Sequence, residues 1–221
     1  MVCGNGRVLV PEWLDSAEPR SAERNLRELA RVNRWFGGHW VLAGLLRGLV
    51  TPDEEFTLLD IGAASGDMGA SVSSRFPRAR VISFDRNFRH LDQARPPRLV
   101  GDAFHLPFPM RSFDFVFCSL FLHHFTDTEV TELLAEFHAL ARRALIVIDL
   151  ERNPLAYYFL PSTRWLFGWD DLIVHDGCVS VEAAFRKREL EQLALNAGLK
   201  GVRVRRHYPW FRLSLIAPVM R

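Results

Sequence analysis

The chain has 221 residues, enough for one α/β domain with a substantial core but too few for two full-size domains. Apolar residues make up 48% and charged residues 24% of it, which argues against disorder throughout. The net charge of +2 lacks the basic excess of a nucleic-acid-binding protein. Three scattered cysteines, Cys3, Cys118 and Cys178, form no C-x-x-C pair, which argues against a disulfide framework or a structural zinc site and fits a reducing cytosol.

The N-terminal part of the chain has the residue spacing of helices. In SAERNLRELARVNRWFGG the apolar residues Leu26, Leu29 and Trp35 recur near helical spacing, and Gly37 ends the segment. A second helical run, HWVLAGLLRGLV, follows. Residues 1–50 are therefore predicted to form a helical N-terminal cap.

Neither a signal peptide nor a membrane span is expected. The first residues, MVCGNGRVLVPEWLD, lack the apolar core of a signal peptide, and the apolar run Trp40 to Leu46 is too short to cross a bilayer. These features predict a cytoplasmic protein without a nucleic-acid partner.

From Phe56 onwards, strand-like and helix-like segments alternate. The predicted strands are FTLLDIG, RVISFD, RLVGDA, FDFVFCSL, ALIVIDL, VRVRRHY and FRLSLIAPV. Helical segments separate most of the first five, and Thr126 and Glu129 form a T-x-x-E capping box before VTELLAEFHALARR. Near-continuous apolar strands separated by helices predict an α/β fold with a doubly wound, mostly parallel seven-stranded sheet. A short link around Pro209 predicts that the last two strands form an antiparallel hairpin, with one reversed edge strand.

The first strand runs into the small-residue turn GAASG, between Gly62 and Gly66. In open α/β sheets, ligands bind beyond the carboxyl ends of the strands, although such a turn can also serve tight packing alone. No lysine follows Gly66, which excludes a P-loop, and the spacing is not G-x-G-x-x-G. Asp67, where the next helix begins, would repel a pyrophosphate; it suits the positive end of a ligand or a helix cap.

Three further acids follow in register along successive strand ends. Asp60 lies within the first strand-end motif, Asp85 ends the second strand and Asp102 ends the third. An acid at the second position can bind ribose hydroxyls, and one at the third can accept from an adenine amine. Any one of them could be a turn residue or a cap, but together they predict a ligand with an adenosine, an amine and no phosphate.

Taken together, these motifs resemble those of the class I S-adenosylmethionine-dependent methyltransferases. The resemblance lies in LLDIGAASGD, VISFD, GDAFHLPFPMRSFDFVFCSLFLHHF and the final strand pair, and it covers residues 56–150 well. The chain is most similar to the small-molecule group that includes quinone-biosynthesis methyltransferases. The resemblance implies a Rossmann-like fold, one methyltransferase domain over residues 1–221 and S-adenosyl-L-methionine as cofactor.

The same resemblance implies how the strand ends would hold the cofactor. The glycine turn would pass close to its methionine portion, the second and third strand ends would bind its ribose and adenine, and the fourth would lie near its sulfonium. The predicted cofactor-binding residues are Asp60, Gly62, Ala63, Gly66, Asp67, Asp85, Arg86, Asp102, Ala103, Ser119 and Leu120. The chain departs from the family pattern at Ala64, which replaces the middle glycine of G-x-G-x-G, and in RVNRWFGG, which is not the common quinone-methylase signature.

Histidines are the candidate bases, because a side chain with a pKa near neutrality can activate a hydroxyl for methyl transfer. His123 and His124 follow the fourth strand, and His175 lies in HDGCVSVEAAF, predicted to be a glycine-containing loop. His175 and His124 are predicted as catalytic and His123 as substrate-binding. The alternative is that these histidines have structural roles, in which His123 or His124 caps the strand end or packs against the lid and His175 lies on a surface loop.

Residues 153–185 form an insertion that is predicted to be a substrate lid. Its segment NPLAYYFLPSTRWLFGWDDL is unusually aromatic, and pockets for planar apolar ligands are lined by aromatic side chains. Tyr158 and Trp165 of this insertion, with Asn33 and Arg34 of the first helix, are predicted to bind substrate. Ordinary core packing is the structural alternative.

The predicted reaction is methyl transfer to a small aromatic or polyketide-like acceptor, foremost O-methylation of a phenolic hydroxyl with a histidine as base. No metal is expected, because no D-x-x-D or D-N pair accompanies Asp127 or Asp149. C-methylation of a quinone or aromatic precursor, a nicotinamide-dependent oxidoreductase and a non-catalytic adenosine-binding module remain alternatives.

Overall fold

The computed structural model describes residues 4, 6–16 and 19–220, so Cys3 lies outside the described residues. The α-helices of this part are Pro19–Trp35 (α1), Gly38–Arg47 (α2), Asp67–Arg75 (α3), Asp127–Leu140 (α4), Pro154–Phe167 (α5), Asp171–Ala183 (α6) and Lys187–Asn196 (α7). The strands are Phe56–Ile61 (β1), Ala79–Asp85 (β2), Arg98–Val100 (β3), Phe113–Ser119 (β4), Ala141–Leu150 (β5), Arg203–His207 (β6) and Arg212–Pro218 (β7). Short 3-10 helices lie at Trp13–Ser16, His90–Gln93 and Leu122–His124.

The strands form one seven-stranded sheet in the order β3-β2-β1-β4-β5-β7-β6. Strands β1 to β5 pair in parallel, and β7 pairs antiparallel with both β5 and β6. The order reverses between β1 and β4, which is where a doubly wound sheet opens a crevice at its carboxyl edge. This confirms the predicted Rossmann-like fold with a terminal antiparallel hairpin.

The sequence predicts that the reversed strand lies at the edge of the sheet, and this is wrong. The reversed strand is β7, inserted between β5 and β6, and β6 forms the edge. The composition of the two strands explains the arrangement, because an interior strand must be apolar on both faces. In β7 the residues of RLSLIAP are mostly buried, whereas RVRRH of β6 exposes arginines to solvent.

The sheet separates two hydrophobic layers. On one face, α4 and α7 pack against apolar residues of the central strands, and on the other face α2 and α3 do so. Strands β1, β4 and β5 alternate between the layers: Leu59 and Val116 lie in the first, and Leu58 and Phe115 in the second. The central strands are therefore buried on both faces, as their continuous apolar sequences predicted.

The region around His175 is helical, which corrects the prediction of a loop. His175 lies within α6, and α6 packs against α5. The glycine that suggested a turn, Gly177, instead permits close helix packing, since a Cβ at this position would overlap the side chain of Leu160. Among the described residues, no helix is long and apolar enough to span a membrane.

The start of α4 provides a test of the local structure. The Thr126 hydroxyl accepts from the Glu129 amide at 3.4 Å, and the Glu129 carboxylate accepts from the Thr126 amide at 2.8 Å, which confirms the capping box. Because the hydroxyl satisfies a free amide of the first turn, Thr126→Ala is expected to lower the free energy of unfolding by ~1 kcal/mol. Urea titration measures the change.

Thr131→Ala is the matched control on the same helix. Within the described part of the chain, its hydroxyl bonds only to a backbone carbonyl one turn earlier, that of Asp127. Its effect should stay within about 0.5 kcal/mol, as for most exposed substitutions. Equal losses in the two variants would show that the capping box contributes nothing specific to stability.

Candidate active site

A cavity of about 610 Å³ opens at the carboxyl edge of the sheet, where the strand order reverses. Its floor comes from the ends of β1, β2, β4 and β5 and the loops that follow them. Its roof comes from α1, α5, α6 and residues 6–16, a segment called here the N-terminal strap. The cavity therefore brings together the strand ends, the N-terminal cap and the insertion of residues 153–185.

The turn after β1 leaves its backbone open to the cavity. Gly62 and Gly66 have φ values of +68° and +70°, in the left-handed region that favours glycine. A Cβ at Gly62 would overlap the ring of Phe121. Ala64 also has positive φ, +47°, so the alanine that departs from the family pattern occupies a conformation in which a glycine would be unstrained.

Asp85 holds this turn in place from the end of β2. Its Oδ2 accepts from the Ala64 amide at 2.9 Å, and its Oδ1 accepts from the Asn87 amide at 2.8 Å. An ionised carboxylate has about four acceptor sites, so lone pairs of Asp85 remain for a ligand in the cavity. The same carboxylate thus shapes the turn and faces the cavity.

Two buried polar atoms beside the turn have no hydrogen-bond partner among the described residues: Oδ2 of Asp60 and Oγ of Ser119. Burial, together with the charges of Asp67 and Asp85, raises the pKa of Asp60 well above its usual range. Both residues line the cavity. A ligand there would find unsatisfied polar groups, which proteins rarely leave in their interiors without a reason.

Asp67, the first residue of α3, belongs to a polar chain that reaches the N-terminal cap and the C-terminal hairpin. Its Oδ2 accepts from the side-chain Nδ2 of Asn33 at 3.2 Å and lies 2.9 Å from Nε2 of His39. Arg212 donates to Oδ1 of Asn33 at 3.0 Å and to the carbonyl oxygen of Phe36 at 3.0 Å. Asn33, predicted to bind substrate, therefore connects α1 to the turn.

Arg212 is almost fully buried, and its Nη1 has no hydrogen-bond partner among the described residues. Burial lowers its pKa to about 10, although Asp149 and Asp67 act in the opposite direction. The side chain is thus a buried cation in the cavity wall.

A second polar group lies at the other end of the cavity, around His123. Its Nδ1 lies 2.6 Å from Oδ1 of Asp149, and its Nε2 faces Oε1 of Glu12 at 3.7 Å. Burial by itself lowers the pKa of His123, but the charges of Asp149 and Glu12 outweigh it and raise the pKa to about 10. Burial alone would raise the pKa of Glu12, but His123 and the neighbouring His124 lower it to about 2.

Glu12 reaches this position because the N-terminal strap is fixed at both ends. Arg7 donates to the carbonyl oxygens of Ala183 and Phe125 at 2.7 and 2.8 Å. The Asp176 carboxylate accepts from the backbone amides of Trp13 and Leu14 at 2.9 and 3.0 Å. The strap therefore forms a wall of the cavity.

Most of the predicted cofactor-binding residues line the cavity. They are Asp60, Gly62, Ala63, Asp67, Asp85, Arg86, Ala103, Ser119 and Leu120. Gly66 lies behind the turn, where a Cβ would press on Ala94. Asp102 is exposed, and its Oδ1 accepts from the Phe104 amide at 3.0 Å, as in a local turn.

Only some of the predicted catalytic and substrate-binding residues line the cavity. Asn33, His123 and His124 line the cavity. The structure does not bring the others to it: these are Arg34, Tyr158, Trp165 and His175. The Trp165 side chain is 84% exposed, and the ring of His175 stacks on Trp13 at 3.6 Å with its Nδ1 3.0 Å from Asp176.

Sequence reasoning missed the carboxylates of Glu12 and Asp176 and the guanidinium of Arg212, along with four other polar residues that line the cavity: Asn25, Asn87, His90 and Ser180. Asp176 could have been found from the sequence, since it directly follows His175, a predicted catalytic residue, in the motif HDG. Glu12 and Arg212 could not, because each enters the cavity from a segment remote in sequence. Asp149 had been considered only as a candidate metal ligand, although its place at the end of β5 pointed to this edge of the sheet.

Comparisons with known proteins agree with the architecture. Residues 58–144 match a family model described as "Methyltransferase domain". The malonyl-[acyl-carrier protein] O-methyltransferase of Dechloromonas aromatica (strain RCB) is 29% identical over 167 residues, covering 72% of this chain and 60% of that protein. The chain thus spans about 60% of the length of this curated relative.

Two solved structures illustrate the similarity of fold. Human N-acetylserotonin methyltransferase in complex with S-adenosylmethionine has a TM-score of 0.66 at 18% identity, over 96% of this chain and 61% of that chain. A SAM-dependent methyltransferase from Aquifex aeolicus has a TM-score of 0.62 at 17% identity, over 92% of this chain and 100% of that chain. At 17% and 18% sequence identity, these similarities show that the fold is shared and nothing further.

The turn after β1 generates a prediction for ligand binding. In Gly62→Ala, the left-handed φ costs ~1 kcal/mol and the new Cβ displaces the Phe121 ring. The affinity for S-adenosylhomocysteine, measured by calorimetry, is expected to fall at least about tenfold, equivalent to ~1.4 kcal/mol.

Gly44→Ala is the matched control. Gly44 lies in α2, and among the described residues no atom outside its chain neighbours and the backbone of that helix lies within 4 Å of an added Cβ, so ligand affinity should not change and stability should rise by ~0.5–1 kcal/mol. If Gly62→Ala binds the ligand as tightly as the unmodified protein, the turn is not part of the binding site.

Proposed function

Since residues 58–144 match a family model of a methyltransferase domain, we propose that the chain is a class I, S-adenosylmethionine-dependent methyltransferase that transfers a methyl group to a small, largely apolar acceptor. The foremost reaction is O-methylation of a phenolic hydroxyl. The observation that carries the proposal is a single cavity with an acid-rich lobe at the strand ends and an apolar lobe under α1, α5 and α6.

The acid-rich lobe fits S-adenosylmethionine. The Gly62 turn exposes backbone, the Asp85 carboxylate keeps acceptor sites for ribose hydroxyls, and Asp60 presents an unpartnered oxygen. Asp67 at the start of α3 favours a positively charged ligand group over a phosphate. When bound, the cofactor supplies a methyl group activated by a sulfonium.

The apolar lobe fits the acceptor. Its side chains come from α1, α5, α6 and the loop before β7: Leu26, Leu29, Val32, Phe36, Ala156, Phe159, Leu160, Ile173, Val181 and Trp210. Such an apolar wall favours an acceptor whose aromatic or aliphatic part is buried against it, and it excludes water from the reacting groups. The N-terminal cap of residues 1–50 and the lid of residues 153–185 would each contribute one side of it.

The polar end of the acceptor would lie at Glu12, His123 and His124, which line the same cavity. Of the two histidines predicted as base, His124 is the one at the cavity. Holding the hydroxyl in line with the methyl donor accounts for much of the catalysis, since such positioning supplies ~7–11 kcal/mol in well-oriented reactions.

The similarity to an O-methyltransferase supports oxygen as the methylated atom. C-methylation would place an activated ring carbon, instead of a hydroxyl, at the same polar cluster. A nicotinamide-dependent oxidoreductase is disfavoured by the Asp67 carboxylate at the helix start and by the family match. A non-catalytic adenosine-binding module is disfavoured by the presence of the apolar lobe.

The proposed function is tested by incubating the protein with S-adenosylmethionine and a series of alkyl- and aryl-substituted phenols, with the corresponding methyl ethers as controls. Mass spectrometry should detect a single added methyl group on the phenols only. An isotope-labelled donor and NMR of the product distinguish an ether methyl from a ring methyl. Binding of NADH without any binding of S-adenosylhomocysteine would falsify the proposal.

The positions of the two histidines predict different effects of their removal. His124→Ala should lower kcat by ~10²–10⁴ if its ring activates the hydroxyl, with little change in affinity for S-adenosylhomocysteine. His175→Ala removes a ring outside the cavity that stacks on Trp13, so its effect should stay below about tenfold. The reverse order of effects would identify His175 as the catalytic histidine.

A further inference from the structure

Three potential metal ligands meet at the polar end of the cavity. One ligand atom of each of Glu12, His123 and His124 lies within 4.8 Å of the others. They come from two separate segments, since Glu12 lies in the N-terminal strap and the histidines in the 3-10 helix after β4. The rings of the two histidines lie side by side, with centroids 4.3 Å apart.

A second observation marks this cluster as a ligand site. His123 is 3% exposed, and its Nε2 has no hydrogen-bond partner among the described residues. The atom faces Glu12 at 3.7 Å, beyond hydrogen-bonding distance. The two side chains form an ion pair at this distance when His123 is protonated, and a cation bound between them would take the place of that proton.

The surroundings of His123 match those of histidines that bind metals. Such a histidine almost always directs its other ring nitrogen to a carboxylate or carbonyl, which fixes the tautomer and the orientation of the ring. Nδ1 of His123 faces Asp149 at 2.6 Å, and Asp149 is itself held by the backbone amides of Leu122 and Leu150 at 3.1 and 2.8 Å. Nε2 is therefore directed towards Glu12 and away from the sheet.

We propose that Glu12, His123 and His124 bind a divalent cation of the first transition series, with Zn²⁺ as the expected occupant. Two imidazoles and one carboxylate form a ligand set of catalytic zinc sites, which keep a further position open. The open position faces the cavity, because all three residues line it. The sequence predicts no metal on the basis of aspartate pairs alone, and the proposed site departs from that prediction.

The role of the cation rests on the proposed function. At the open position it would bind the acceptor hydroxyl, lower its pKa and release the proton to solvent. His124 would then be a ligand and not the base. The binding of the cation, in contrast, is a property of the three side chains alone.

The test is calorimetric titration of the chelator-treated full chain with Zn²⁺, in the absence of methyl donor and acceptor. About one Zn²⁺ per chain is expected to bind. Glu12→Gln, which removes the ligand charge but retains the shape, should weaken binding at least about tenfold, and His124→Ala should do the same. Absorption spectra with Co²⁺ report whether nitrogen ligands surround the ion.

Glu132→Gln is the matched control, because Glu132 is an exposed residue of α4 outside the cavity. It should bind Zn²⁺ like the unmodified chain. The proposal fails if the unmodified chain binds no Zn²⁺, since the cluster is then an ion pair of protonated His123 with two carboxylates. It fails equally if Glu12→Gln binds as tightly as the control, since the ion then lies elsewhere.

The methyl-transfer assay is run separately on the same preparations. A chain that binds Zn²⁺ but methylates no phenol would contradict the proposed function and leave the metal site standing. A chain that methylates phenols at the same rate with and without Zn²⁺, and binds none, would contradict the metal site alone.

Discussion

The buried carboxylate of Asp149 is the group on which the geometry around His123, at one end of the cavity, depends. It is fully buried at the end of β5, and a buried charge is tolerated only when it is paired and hydrogen-bonded. Its oxygens lie within 3.3 Å of the backbone amides of Leu122, His123 and Leu150 and of the His123 ring. Satisfying one charge therefore fixes both the loop after β4 and the direction in which the imidazole points.

The same dependence extends to the N-terminal strap. Arg7 bonds to the carbonyl oxygens of His123 and Phe125, so the strap is fastened to the loop that Asp149 orders. Ser180 of α6 donates to Glu12, which ties the strap to the insertion as well. Around His123, the sheet, the strap and α6 are therefore joined by hydrogen bonds: Asp149 bonds to the loop after β4, Arg7 of the strap bonds to the same loop, and α6 bonds to Glu12 of the strap.

The sequence was sufficient to predict that the residues of the acid-rich lobe meet at the strand ends, because the determinants are local: an apolar strand, a turn of small residues and an acid at the next strand end. Parallel strands bring these local motifs to one edge without further information. The acceptor lobe was less predictable. Gly177 suggested a turn but serves the packing of α5 on α6, and neither Glu12 nor Arg212 is near its neighbours in sequence. Aromatic content alone placed Tyr158 and Trp165 at the substrate, although both are mainly exposed.

The insertion of β7 between β5 and β6 has a consequence for the order in which the molecule assembles. Arg212, the first residue of β7, contacts Asn33 of α1 and Phe36 just after it, across separations of 179 and 176 positions, and contacts of such range form slowly. During synthesis the strands that border the crevice, β1 and β4, emerge before β7, because β7 is the last described strand in the sequence. The cavity gains its Arg212 wall only when β7 enters the sheet, because Arg212 is the first residue of that strand.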